Sequence, residues 1–167
     1  MSVTLTEAFR YNRWANLLLL DRCAELTDKQ LAFTSAGTYG SIADTLRHLV
    51  DAERWYLWLV RGAEGSFRRR NKFPGIASLR AVSAETGAAL IALAPKIKDS
   101  DVLVFKERRW VERIHKSIIV TQAIHHGNDH RTHVCSILGD HRMNIPDMDV
   151  WAYGRASRRS VLERLKT

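Results

Sequence analysis

Apolar residues recur with a helical period in four separate stretches of this chain. The first, about Thr4 to Leu26, begins amphipathic and becomes almost fully apolar through Leu17–Leu20, as a well-buried helix does. The second opens at Ser41 with a Ser-x-x-Asp capping signal, runs to about Val60 and stops at Gly62 and Gly65. It carries two adjoining stripes: Ile42, Leu46, Leu49, Glu53, Tyr56 and Val60, and Thr45, His48, Ala52, Trp55 and Leu59. Together they predict a broad inward face with His48 in it. The third helix, about Ile76 to Ala94, has the stripe Leu79, Val82, Thr86, Leu90, Leu93 and Ile97, with Pro95 at or just past its end. The fourth runs from about Lys116 to Gly139 on the stripe Ile119, Ala123 and Ile137.

The intervening segments read differently. Thr27-Asp28 and Ser35–Gly40 mark an exit and a loop. In Asp101–Ile114, the apolar Val102–Phe105 and Trp110-Val111 flank the charged Lys106–Arg109, which predicts a hairpin or an extended linker. The tail holds Pro146 and an acidic, aromatic run, and a short helix is expected over about Arg155 to Lys166. Four amphipathic helices of this length predict an all-α fold. It would be a four-helix bundle with a short extended insertion before the fourth helix and a short C-terminal helix. The expected organisation is one domain over residues 1–167.

Composition narrows the function classes. No run approaches the ~20 apolar residues that span a membrane, and the N-terminus lacks the regions of a signal peptide, so a cytoplasmic protein is expected. Cys23 and Cys135 form no metal or redox motif and read as two reduced core thiols. The net charge of +8 gathers in Arg68–Lys72 and Arg155–Arg159. Neither cluster has interleaved aromatics or a nucleic-acid reading motif, so both are expected to be solvated surface and nucleic acid is not the expected partner.

The chemistry sits in Thr121–Gly139, which holds His125, His126, His130 and His133. His126 and His130 stand one helical turn apart on the face that should meet the core, where apolar residues would pack better. With His48 from the second helix they offer neutral imidazoles from two helices, the open donor set of a catalytic metal site. Imidazole suits zinc, nickel, copper or iron, so the donors alone do not choose the ion. His133 also points inward but lies about 10 Å along the axis from His126, which favours a pocket role over ligation. His125 is expected between helices or exposed, and His115 and His141 at the ends of the fourth helix.

Three separated blocks carry a resemblance to a known family. They are Tyr11-Asn12-Arg13-Trp14-Ala15-Asn16, the second-helix run Ser41–Trp55 containing His48, and His126-Gly127-Asn128-Asp129-His130-Arg131. In order and content they resemble the DinB family of bacterial four-helix-bundle metalloproteins, which includes thiol transferases; the tail Pro146–Tyr153 is also family-like. The chain departs from the family pattern at His125, commonly Asn, and at Thr132-His133, often Gly-Gln. The resemblance implies metal binding by His48, His126 and His130 of one divalent ion, zinc or nickel first, iron or manganese next. It implies activation of a low-molecular-weight thiol or of water, for transfer or hydrolysis of a small molecule. His133, Asp129 and Tyr153 are the expected proton-moving or orienting residues. A non-catalytic, metal-stabilised interaction or stress-response bundle is the alternative. A homodimer is also expected, because Tyr56 and Trp58 point to nearly opposite sides of one helix and cannot share one core.

Overall fold

A computed structural model describes residues 3–106 and 109–161. Helix α1 spans Val3–Cys23, α2 Asp28–Leu31, α3 Ile42–Val60 and α4 Ile76–Leu93, followed by a 3-10 turn over Ala94–Lys96. Strands β1 (Val102–Lys106) and β2 (Val111–His115) precede α5 (Lys116–Asp140) and α6 (Val150–Ala156). The four long helices close a ring in which α1 packs on α4, α4 on α3, α3 on α5 and α5 on α1. This is the expected bundle.

Local rules place most boundaries. Ser41 Oγ accepts from the Asp44 amide and starts α3, and Pro95 sits in the 3-10 turn that closes α4. The extended segment is an antiparallel hairpin pairing Leu103 with Ile114 and Lys106 with Val111. Between the exit at Thr27-Asp28 and the loop at Ser35–Gly40 the short helix α2 forms, because Thr27 and Gln30 complete a reciprocal capping box.

The C-terminal helix is a correction. It lies over Val150–Ala156 rather than starting at Arg155, because the Asp149 side chain caps the amide of Ala152 and nucleates it earlier. It stops where the amides of Arg159 and Ser160 turn back to the Gly154 carbonyl and Arg158 takes a φ of 58°. Residues 162–167 of the expected helix lie outside the described residues.

Tyr56 is buried, while Trp58 is half-exposed and packs against Phe67 of the α3–α4 connection and Phe105 of the hairpin. The segment Ile76–Lys96 is long and apolar enough to cross a membrane by length and composition alone. Here it is a wall of the bundle, turning Leu79, Ser83, Thr86 and Leu90 inward against α1 and α3.

The core has two apolar parts. One contains Phe9, Tyr56, Val60, Leu90, Leu103, Ile119 and Ala123; the other contains Leu19, Leu46, Val50, Leu79, Val134 and Ile137. On each helix, buried polar residues fall between them: Asn12 and Asn16 on α1, Glu53 on α3, Ser83 and Thr86 on α4, and His130 and Arg131 on α5. A polar layer therefore crosses the middle of the bundle.

Candidate metal centre

His126 and His130 project from one face of α5, with ring centroids 4.3 Å apart. His48 reaches them from α3, its centroid 5.0 Å from His126 and 4.7 Å from His130. One ring nitrogen from each of the three lies within 4.8 Å of the others. His48 Nε2 and His126 Nε2 are 3.1 Å apart. Two nitrogens sharing a tetrahedral zinc ion would stand about 3.3 Å apart, so this pair already has nearly the spacing of co-ligands.

The electrostatics suit a cation. Burial, then the charge of His48, lowers the His126 pKa to about 4. Burial, then the charges of His126 and His48, brings His130 to about 4 as well. Burial, followed by the charges of Arg69 and Arg47, lowers His48. All three rings are therefore neutral near pH 7 and present lone pairs. His130 Nδ1 is buried without a hydrogen-bond partner. Three neutral donors facing one point, His48 and His126 half-buried and His130 buried, fit a borderline divalent ion.

Aromatic rings wall the cluster. Tyr39 stacks on His48 at 4.2 Å and meets His130 edge-on at 5.0 Å; Tyr56 meets His126 edge-on at 5.6 Å. Sequence reasoning missed Tyr39, because it stands on the loop before α3 and no periodicity governs where a loop residue lands.

The other expected site residues separate. The His133 ring lies edge-on to His130 at 5.2 Å, and its Nδ1 is buried without a partner, so it borders the cluster without joining the group of three. Asp129 is exposed and pairs with His125 at 3.1 Å; its charge acts on His126 and His130 from outside. Tyr153 is not brought to the imidazoles. Its hydroxyl donates to Glu7 and its ring packs on Tyr11 and Trp14, beside a separate cavity of about 440 Å³. The tail carries it there by laying α6 against α1. His115 and His141 are exposed at the two ends of α5. Cys23 and Cys135 are free thiols, and burial pushes both up, Cys23 to about 12.

A buried network beside the centre was also missed in its role. Arg131 donates to Asn12 Oδ1 at 2.7 Å and to Asn16 Oδ1 and Asn128 Oδ1. Asn12 and Asn16 in turn donate to Glu53 Oε1 at 2.8 and 3.1 Å. Two charges on α5 and α3 are thus joined through two amides on α1. A Cβ at Gly127 would come within 2.5 Å of Asn12 Oδ1, so only glycine lets α5 approach this closely. The available signal was Glu53, a carboxylate inside an apolar stripe.

Burial, opposed by the Arg131 charge and the asparagine bonds, raises the Glu53 pKa to about 7. Ser83 stands beside the carboxyl, yet neither Glu53 Oε2 nor Ser83 Oγ completes a hydrogen bond of ordinary geometry. A raised carboxyl keeps its proton in the folded state after the unfolded chain has lost it. Its contribution is therefore fully present below the ordinary carboxyl value of 4.5 and is lost as pH rises through about 7. Urea melts should show Glu53→Gln losing less stability than the parent between pH 5 and pH 8. Parallel profiles would contradict the raised value.

Comparisons with known proteins agree with this architecture. The family model described as the DinB family matches residues 1–156. Among solved structures, the chain is similar to the crystal structure of a DinB-like protein from Bacillus cereus ATCC 10987, with a TM-score of 0.65 and 17% identity over 85% of this chain and 93% of that one. At that identity the likeness shows the fold alone. Among curated proteins none matches this chain.

Proposed function

The chain belongs to the DinB family, and from that premise we propose that it is a metalloenzyme in which His48, His126 and His130 hold one divalent ion. The observation that carries this reading is the convergence of three neutral imidazoles from α3 and α5. Zinc or nickel suits the all-nitrogen donor set best, with iron or manganese next. When bound, such an ion supplies Lewis acidity and lowers the pKa of a thiol or water offered to it. The chemistry served is transfer of a small thiol or hydrolysis of a small substrate.

The chain's own residues divide the remaining work. Tyr39 and Tyr56 flank the cluster and restrict water around it. His133 Nδ1, buried and unpartnered beside His130, is placed to take a proton from a bound ligand. Asp129 balances positive charge from the rim. We assign the activity to the whole chain acting as one domain in the cytoplasm, where both thiols stay reduced.

Elemental analysis after reconstitution with zinc or nickel tests the reading, and one ion per chain is expected. Protein that takes up no stoichiometric metal would sink it. The same donors also suit a purely structural role, because an ion between them would staple α3 to α5. That alternative predicts a metal-dependent rise in Tm without thiol-transfer or hydrolytic turnover.

A further inference from the structure

The basic run Arg68–Lys72 is not simply solvated; the structure ties its middle to α3. The Arg70 amide donates to Asp51 Oδ2 at 2.8 Å, and the Arg70 carbonyl accepts from the Arg47 guanidinium at 2.8 Å. Arg47 and Asp51 stand one residue before and three after His48. Two hydrogen bonds therefore hold the connection alongside that histidine.

The local charges are mostly spoken for. Asp51 takes the guanidinium groups of Arg54 at 2.8 Å and Arg70 at 3.5 Å, and Arg47 faces Asp44 at 3.8 Å. Arg69 differs. Its guanidinium rests over the Trp55 ring at 5.7 Å, and it has no carboxylate partner among the described residues. Trp55 packs on Tyr56, which meets His126. The positive charge of Arg69 acts on His48, His126 and Tyr56.

An arginine backed by an indole keeps its flat face on the ring and its N–H edge free for an oxyanion. Its planar fork matches one carboxylate with two parallel hydrogen bonds. We infer that Arg69 sets the specificity of the site, and that the substrate carries a carboxylate that docks on Arg69 while its reacting group faces His48, His126 and His130. This inference rests on the metal-binding reading of those three histidines.

The test uses two thiols differing in one group, 3-mercaptopropionate and 3-mercaptopropionamide. Zinc uptake is measured first; calorimetry at low ionic strength then gives the affinity of each thiol for the zinc-loaded protein. The acid should bind about tenfold more tightly than the amide, a modest preference because the guanidinium is exposed. Arg69→Ala should bring the ratio near one without changing zinc stoichiometry. Arg69→Lys should restore part of it, since a point charge attracts the carboxylate without the fork. Zinc uptake with equal affinities, with no binding of either thiol, or with the preference intact in Arg69→Ala overturns the carboxylate inference alone. Failure of the parent protein to take up either zinc or nickel overturns the metal reading and this inference with it.

Discussion

His126→Ala should lose its ion and stay folded. Removing hydrogen-bonding groups outside a metal's ligand shell already costs about 10- to 100-fold in affinity, so removing one of three ligands should cost more than about 100-fold. The apo protein should hardly notice, because a half-buried, neutral imidazole contributes little to folding. The contrast appears in thermal melts. At zinc concentrations a thousandfold above Kd, the parent should gain about 4 kcal/mol by mass action. For a chain of this length that corresponds to a Tm rise of about 10 °C. His126→Ala should melt at the parent's apo temperature with or without zinc. An undiminished zinc-dependent rise in the variant would remove His126 from the centre.

The second large effect is expected at Arg131→Met. Arg131 is 3% exposed, and its guanidinium joins α5 to α1, and through Asn12 and Asn16 to Glu53 on α3. At pH 8, where Glu53 is ionised, removing one member of a buried charge pair typically costs about 3–5 kcal/mol, because the other charge loses its compensation. Against a typical total of about 5–15 kcal/mol that is severe, equivalent to a Tm fall of about 10 °C or more. Combining Arg131→Met with Glu53→Leu removes both charges and should recover much of the loss, which a double-mutant cycle measures. Additive losses would mean that the two charges do not communicate through the asparagines. The single variant should also bind zinc more weakly, since the network holds α5 beside α3, and both helices carry histidines of the centre.

These expectations draw unequally on sequence and structure. Ser41 announces α3 because a hydroxyl three residues before an amide needs nothing beyond its own turn. His126 and His130 share a face because the α-helix repeats every 3.6 residues. The C-terminal helix was misplaced for a matching reason. The Asp149 side chain caps the Ala152 amide and fixes the helix start at Val150, a local signal that the periodicity of the following segment does not carry. Glu53 appeared in an apolar stripe, but its partners are 37 and 41 residues away, on a helix whose packing no local rule provides.

Helix positions, the bundle class and the pairing of two histidines on one face follow from short-range periodicity and capping, which act within a turn or two of chain. Where His48 meets that pair, where Tyr39 covers it and where Arg69 lands depend on how α3 packs against α5 and how two loops are tied down. Those placements come from close packing and hydrogen bonds between residues distant in sequence. Tyr153 shows the difference plainly: near the centre by motif, it is carried to the α1 side by the tail's own packing.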